Sequence, residues 1–458
     1  MARYDVLIVG GGLSGLSVAH FVDKLLPGRS LLVVEKAPRL GGAVQTFRQA
    51  GFQGEWGPHG FLDNTAESQE LLRDTGLYNE AQAAPLGDFY RYLCHRGRLV
   101  RLPQSLASAL TTPLISGWGK LRVLADLWRR PIPEAMTIGD WVRHRFGPEL
   151  LPLVDAAVTG SFAGDYTRLC LDSVMPGVRK LELATGSVIR GLIRKKREAA
   201  KGQGLGRLPS MLNFPDGMER LITVLAQGRE VAQNTLVQGL EPGGGGDWRV
   251  RTDQGTIEAG RVVLAAPVNG GLQLLSGLRP PPVSCLPVSR IVNVVMGLSG
   301  RAKVPYGFGY LAPEREGRFT LGAMFTSHMF PDRAPSGQVL IEALVGGRRH
   351  PERLALDDEE LISAVYEDLR QLIELPEPPL FSRVLRPEHG IPQLEMDHPR
   401  LLAWRAEMER HFPGLLICGF GWDGIGMNDM IRSAKNTVLA MAAATGRQDE
   451  AKVKAVYF

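Results

Sequence analysis

The chain has 458 residues, 44% of them hydrophobic, with 54 glycines and a net charge of +5. That is enough apolar side chain for two or three domains with a large core, and it excludes a disordered or fibrous protein. Cys94, Cys170, Cys285 and Cys418 are scattered with no pair at metal-ligand or redox spacing, so neither a disulfide framework nor a metal site is expected and a reducing compartment fits best.

In chain order, Asp5-Val6-Leu7-Ile8-Val9 reads as a buried parallel strand, Gly10-Gly11-Gly12-Leu13-Ser14-Gly15 as a tight turn, and residues 13–26 as a helix stopped by Pro27-Gly28. A dinucleotide site is built in this order. Gly10 allows the turn, Gly12 lets a phosphate approach backbone N–H groups, and Gly15 lets the helix pack close to the strand. Leu31-Leu32-Val33-Val34 is a second strand that closes on Glu35, where a carboxylate accepts hydrogen bonds from a free ribose diol and repels a 2′-phosphate. NADP is thereby disfavoured, and FAD and NAD remain. The loop Glu35-Lys36-Ala37-Pro38-Arg39-Leu40-Gly41-Gly42-Ala43 follows; Arg39 can offset pyrophosphate charge and the glycine pair exposes backbone N–H groups. This loop resembles the second fingerprint of flavoproteins of the amine oxidase and protoporphyrinogen oxidase superfamily, which favours FAD.

Between residues 102 and 128, Leu106, Leu110, Leu114, Ile115, Trp118, Leu121, Leu124 and Trp128 are spaced to form one apolar helical face. Arg190, Arg194, Lys195, Lys196, Arg197, Lys201 and Arg207 then stand against Glu198 alone, either as a solvated face or as a surface for anionic lipid. No aromatic residues interleave with these charges, so nucleic acid is not expected as a partner. Residues 231–267 read as a β-meander with strands at 236–240, 248–252 and 261–267. Leu415-Leu416-Ile417-Cys418-Gly419 is another buried strand, followed by the turn Gly424-Ile425-Gly426-Met427 and a helix over 430–445. That helix N-terminus is expected to offer free N–H groups to the negative charge of a reduced flavin near N1 and the C2 carbonyl. Asp429 and Arg432 read as a local cap and pair, and His59 and His328 as ordinary polar groups, His59 being the better placed to touch a flavin. Pieces of one nucleotide domain therefore lie at the start, middle and end of the chain. No apolar run reaches the ~18 residues of a membrane span, and a first strand beginning at residue 5 leaves no room for a signal peptide.

Further segments extend the resemblance through nearly the whole length: Glu55-Trp56-Gly57-Pro58-His59-Gly60-Phe61-Leu62, Arg91-Tyr92-Leu93-Cys94-His95, Gly160-Ser161-Phe162-Ala163-Gly164-Asp165, Gly307-Phe308-Gly309-Tyr310-Leu311, Thr320-Leu321-Gly322-Ala323-Met324, Val345-Gly346-Gly347 and Gly390-Ile391-Pro392-Gln393. In this order they resemble the oxygen-dependent, FAD-containing protoporphyrinogen oxidase family, with its coproporphyrinogen III oxidase relatives. The chain departs from that family's usual pattern in carrying His59 where Asn is common, and Pro387-Glu388-His389 where a Trp often precedes the Ile-Pro-Gln segment.

The resemblance implies an α/β fold: a Rossmann-like split FAD-binding domain with an inserted helical domain and an inserted mixed α+β substrate domain. It divides the chain into FAD-binding parts at 1–75, 206–270 and 386–458, a helical membrane-docking insertion at 76–205 and a substrate-binding domain at 271–385. It implies non-covalent FAD contacts at Gly10, Gly12, Leu13, Ser14, Gly15, Glu35, Lys36, Arg39, Gly42, Ala43, Gly57, Pro58, His59, Gly60, Val231, Ile425, Gly426 and Met427. Arg91 resembles the cation that pairs with a propionate, Leu311, Met324 and Leu344 the apolar clamp on a tetrapyrrole, and Gly160 to Ala163 the loop near the reacting edge. The implied activity is six-electron oxidation of protoporphyrinogen IX by O2 with release of hydrogen peroxide, in haem biosynthesis. The implied setting is the cytoplasm, with peripheral contact at the inner face of the cell membrane and a homodimer as the assembly. Coproporphyrinogen III oxidation, a flavin amine oxidase and a flavin-free binding protein resembling the GDP-dissociation inhibitors are the alternative readings.

Overall fold

The structure is a computed structural model describing residues 3–202 and 209–443. Among these residues the chain builds two seven-stranded sheets, each with its own core. The first runs in the order Val231–Ala232, Leu31–Val34, Arg3–Val9, Gly255–Leu264, Trp248–Thr252 and Val237–Pro242, with Leu415–Ile417 paired in parallel to the end of Gly255–Leu264. Alternation along Arg3–Val9 sends Val6 and Ile8 to one core and Leu7 and Val9 to the other, so the strand is covered on both faces. This is why it reads as a continuous apolar run rather than an alternating one. The helices Leu13–Leu25 and Met427–Ala443 lie together on the first of these faces.

The meander expected at 231–267 is present, but its third strand starts at Gly255 rather than 261. One strand serves two partners there: its first half pairs antiparallel with Trp248–Thr252, and Arg3–Val9 runs parallel along it. The C-terminal helix begins at Met427, before the expected 430, and the end expected at 445 lies outside the described residues.

The second sheet runs Phe381–Leu385, Ile291–Ser299, Gln338–Gly346, Gly322–Met324, Gly309–Leu311, Arg91–His95 and Arg98–Arg101. Val294, Met296, Tyr310, Ala323, Ile341 and Ala343 pack with the helix Asp358–Leu369. The opposite face, with Val295, Leu340 and Leu385, meets Phe47 and Phe52 of the hairpin Thr46–Gln49 and Phe52–Glu55. Residues 76–205, expected to be helical, thus begin with strands: Gln82–Pro85 joins a small three-stranded sheet and residues 91–101 form the edge of the large one. Tyr92, Leu93 and Cys94 are all buried, so this strand carries no polar-apolar alternation to mark it.

Helices then run from Leu106 to Gly202. At their centre Arg145, with no exposed surface, is bonded to Glu182 at 2.6 Å and Asp126 at 3.0 Å, so its charge is buried only with its partners. The single helical face expected over 102–128 is broken into Leu106–Thr111, Gly117–Leu124 and Ala125–Leu127. Pro113 removes an N–H and ends the first piece. As a result Leu114 turns inward against Leu93 and Ala156, whereas Leu110, Trp118, Leu121, Leu124 and Trp128 remain exposed. Arg207 and the side chains of Leu106, Glu198 and Lys201 lie outside the described residues.

Candidate active site

The strand ends of the first sheet all open on one edge. Val9, Val34, Ala232, Leu264 and Ile417 lie in register there, and the turns that follow them build the nucleotide end of the site. Gly10 takes φ +113° and its N–H donates to the Val34 carbonyl at 2.8 Å. A Cβ on Gly15 would sit 1.9 Å from the Gly10 carbonyl oxygen, so only glycine lets the helix start this close to the turn. At Gly12, by contrast, a Cβ would meet nothing within 4 Å. Gly12 is also the N-cap of the helix Leu13–Leu25, which has no side-chain cap and no acidic residue in its first turn. An uncapped helix N-terminus behind an open glycine is the cradle that a pyrophosphate requires, and the residues present fit a dinucleotide.

The second loop closes on the first. Gly41 N–H donates to the Gly11 carbonyl at 2.9 Å, Gly42 lies against Gly12, and a Cβ on Gly57 would strike the Ala43 carbonyl oxygen at 2.1 Å. Gly10 to Gly15, Gly42, Ala43 and the Gly57-Pro58-His59-Gly60 loop are therefore one continuous wall. Glu35 accepts from Gly11 N–H at 2.7 Å and Ala37 N–H at 2.8 Å. These bonds fix the carboxylate and leave each oxygen one lone pair for a ribose hydroxyl. Val231 adjoins Val33 at the sheet edge, while Lys36 and Arg39 are exposed and Arg39 donates to the Gly42 carbonyl at 2.7 Å.

The C-terminal turn differs from expectation in one respect. Gly426 N–H is taken by the Asp429 carboxylate at 3.1 Å, and Asp429 in turn pairs with Arg432 at 2.9 Å. The helix N-terminus after Ile425 and Gly426 is thus partly satisfied by its own carboxylate, which removes a donor expected to be free. Asn428 ties this turn to the Leu62 carbonyl at 2.8 Å, joining it to the His59 loop.

Facing that wall is one face of the second sheet. The strand register places Arg91, Gly309, Met324 and Glu342 in one row and Leu93, Leu311, Gly322, Leu344 and Asn293 in the next. Residues opposite one another in register share a face, as do positions i and i+2. Arg91, Leu311, Met324 and Leu344, more than 250 residues apart in sequence at the extremes, therefore share one surface. All four are half-buried, whereas Tyr92, Tyr310, Ala323 and Ala343 on the reverse face are fully buried. Gly309 and Gly322 alternate with them, and a Cβ on either would strike the neighbouring strand, 2.2 Å from the Ala323 carbonyl oxygen and 2.4 Å from that of Tyr310, so only glycine allows the backbone this close. Gly160 packs directly on Leu311, where a Cβ would approach to 2.9 Å, and Ala163 closes that helix in a left-handed conformation with its carbonyl held by Ser289 and Arg348 N–H.

Arg91 is the informative member. Its guanidinium is largely withdrawn from water, no carboxylate pairs with it among the described residues, and its Nε is buried without a partner. Burial alone pulls its proton affinity below the ordinary arginine value. A cation held this way favours an incoming anion.

Sequence reasoning missed a buried group three strands away from Arg91 in the same row. Glu342, with no exposed surface, accepts from His59 Nε2 at 2.9 Å, Asn293 Nδ2 at 2.6 Å and Thr326 Oγ1 at 2.9 Å. Burial pushes the Glu342 carboxyl upward, but the His59 charge and these bonds outweigh it and hold the carboxyl below its usual range. For His59 burial works against the charged ring, yet Glu342 raises it above the ordinary histidine value. Glu55, bonded to Thr46, Asn213 and Met218 N–H, is pushed up to about 7, chiefly by burial. The available signal was a lone carboxylate inside the apolar run Val339-Leu340-Ile341-Glu342-Ala343-Leu344-Val345, since buried strands seldom carry one without a partner.

The chain is similar to known proteins over almost its full length. It is 27% identical to the coproporphyrinogen III oxidase of Bacillus subtilis (strain 168), covering 95% of this chain and 97% of that one. It is 29% identical to the chloroplastic protoporphyrinogen oxidase 1 of Arabidopsis thaliana, covering 95% and 87%. Among solved structures, one assigned as a protoporphyrinogen oxidase from Exiguobacterium sp. 255-15 superposes with a TM-score of 0.80 at 23% identity, covering 97% of this chain and 99% of that one, which shows the shared mixed α/β fold. Residues 13–441 match the family model for flavin containing amine oxidoreductases. With the nucleotide cradle, the Glu35 anchor and this match in hand, the chain belongs to the flavin containing amine oxidoreductase family and is an FAD-dependent oxidoreductase.

Proposed function

We propose that the protein oxidises a porphyrinogen to a porphyrin, with protoporphyrinogen IX as substrate and O2 as terminal acceptor. The observation that carries this reading is Arg91: an unpaired, largely buried guanidinium on an apolar sheet face suits a flat apolar ring system bearing carboxylates. Coproporphyrinogen III is the second reading, favoured by the name of the Bacillus relative. FAD, when bound, supplies a two-electron acceptor, so six electrons require three turnovers and three O2, with three H2O2 released per porphyrin.

The protein's own part is binding and orientation. Gly10, Gly12, Leu13, Ser14 and Gly15 would cradle the pyrophosphate, with Glu35 on the ribose and Lys36, Arg39, Gly42, Ala43, Val231, Ile425, Gly426 and Met427 lining the remainder. Gly57 to Gly60 would border the ring system. Leu311, Met324 and Leu344 would hold the macrocycle, Arg91 a propionate, and Gly160 and Ala163 the facing edge. The meso C–H is already activated by its flanking pyrroles, so positioning and exclusion of water matter more than a strong base. On this reading residues 1–75, 206–270 and 386–458 form the FAD-binding domain and 271–385 the substrate domain, the latter completed by the strands at 91–101.

We also propose peripheral contact with anionic lipid at the cytoplasmic face of a membrane. Exposed Trp118, Leu121, Leu124 and Trp128 lie on the segment packed against the helix Val188–Gly202, which carries Arg190, Lys195, Lys196 and Arg197. No helix among the described residues is long and apolar enough to cross a membrane.

The test is to mix the yellow protein anaerobically with protoporphyrinogen IX, coproporphyrinogen III and a panel of amines. Bleaching of the flavin by a porphyrinogen, and fluorescent porphyrin with H2O2 in air, are expected. Bleaching by amines alone overturns the reading, and a faster reaction with coproporphyrinogen III selects the second substrate.

A further inference from the structure

We propose that Glu342 is a positioning residue that holds His59 as a fixed cation, whose outer ring nitrogen Nδ1 donates to an anionic oxygen bound in the cleft between the two sheets.

The geometry carries this. Nε2 of His59 is committed to Glu342 at 2.9 Å, so in the charged ring Nδ1 is the remaining donor. Nδ1 has no bond to the protein among the described residues, and the side chain keeps 12% of its surface open. The loop cannot readily swing away, because Asn213 donates to the His59 carbonyl at 2.9 Å and Gly57 is pressed against Ala43. Glu342 is itself fixed by Asn293 and Thr326, which leaves it no reason to rotate from the imidazole.

The other charges facing His59 are Glu55, Glu342 and Arg333. Arg333 is turned away onto the Phe214 and Pro215 carbonyls, and Glu55 is bonded to Thr46, Asn213 and Met218 N–H. Among the described residues this leaves His59 Nδ1 and Arg333 Nε without a protein partner, and of these two side chains Arg333 is fully buried whereas His59 keeps surface open. In the strand register Arg91 and Glu342 are three strand spacings apart, about 14 Å. The apolar face that holds Leu311, Met324 and Leu344 therefore has a cation near each end. This inference rests on the porphyrinogen reading for its ligand, because a substrate with two or more carboxylates can use both ends. A reduced cofactor offers the same chemistry, an anionic oxygen, and the experiment separates the two sources.

His59 is followed by NMR in histidine-labelled, FAD-loaded protein, its resonance assigned by loss in His59→Gln. It is expected to titrate above the ordinary ~6.5 in the wild type and to fall in Glu342→Gln; titration at or below the ordinary value, unmoved by Glu342→Gln, overturns the proposal. Binding of protoporphyrin IX and its dimethyl ester is then measured by fluorescence, and FAD affinity by titration of the apoprotein. His59→Gln is expected to weaken the free acid about ten-fold and leave the ester unchanged, which assigns the acceptor to a substrate carboxylate. A ten-fold loss in FAD affinity with both porphyrins unchanged assigns it to the cofactor, and no change in any of the three overturns the proposal. Glu342→Gln is expected to bind the free acid like the wild type at pH 6 and like His59→Gln at pH 8; an unshifted pH midpoint refutes the positioning role. If wild type binds neither porphyrin, the porphyrinogen reading fails, and the NMR and FAD measurements still decide on His59.

Discussion

Replacing Arg91 by Met separates a substrate contact from a structural one. The guanidinium has no carboxylate partner among the described residues and one buried, unbonded nitrogen, so in the free protein it is a cost of folding rather than a support. A hydrogen bond to a charged group contributes about 1.5–3 kcal/mol to binding, which corresponds to a KM rise of about 10- to 150-fold. A carboxylate far from the reacting carbon is held equally in the ground and transition states, so kcat should change little. Met preserves the aliphatic stem without the charge. The assay is steady-state porphyrin fluorescence across substrate concentration, beside thermal melting of the ligand-free protein. An unchanged KM, or a melting temperature lowered by more than about 4 °C, refutes the reasoning, the latter because it would make Arg91 a structural residue.

Other outcomes follow from the same geometry. Gly12→Ala, whose Cβ meets nothing within 4 Å, should leave the apoprotein's melting temperature unchanged while weakening FAD binding in a fluorescence titration. Gly15→Ala, whose Cβ would sit 1.9 Å from the Gly10 carbonyl oxygen, should destabilise the protein itself by calorimetry. Equal behaviour of the two variants would contradict this division of roles. Glu55 is raised from 4.5 to about 7 on folding, so between these values the folded protein binds more protons than the unfolded chain and loses stability as pH rises. Glu55→Gln should remove about 3 kcal/mol of that pH dependence between pH 4.5 and 7, as read from denaturant midpoints; parallel curves for the two proteins would rule it out. Trp118→Ser with Trp128→Ser should reduce sedimentation with phosphatidylglycerol vesicles several-fold and leave neutral vesicles unaffected, and undiminished sedimentation would exclude this patch as the lipid contact.

Much of the nucleotide end was legible because its determinants are local. A strand, a glycine turn and a helix within thirty residues specify one another, and the acidic end of the next strand completes them, so Gly10 to Gly15 and Glu35 stand where the spacing puts them. The limits of local reading are equally specific. The spacing of Leu106 to Trp128 suggests a single amphipathic face, but Pro113 and the packing of Leu114 against Leu93 divide it. The strand from Gly255 is longer than its apolar part because antiparallel pairing of Gly255–Ala259 with Trp248–Thr252, joined from Glu258 by Arg3–Val9, holds positions that carry no apolar run. The expected free donor before Met427 is lost to Asp429, a side chain three residues on whose direction no composition rule supplies.

By itself the sequence located the strand, glycine turn and helix of the dinucleotide cradle and the three stretches of its sheet, and through family resemblance it singled out Arg91, Leu311, Met324 and Leu344. Only the tertiary structure decided that Arg91, Leu311, Met324 and Leu344 share a face, because the register among four strands sets that, and register is fixed by pairing partners far away in the chain. It also decided the state of His59. An imidazole in a glycine-rich loop is an ordinary polar group until a buried carboxylate 283 residues away closes on it, and burial then makes that pairing strong.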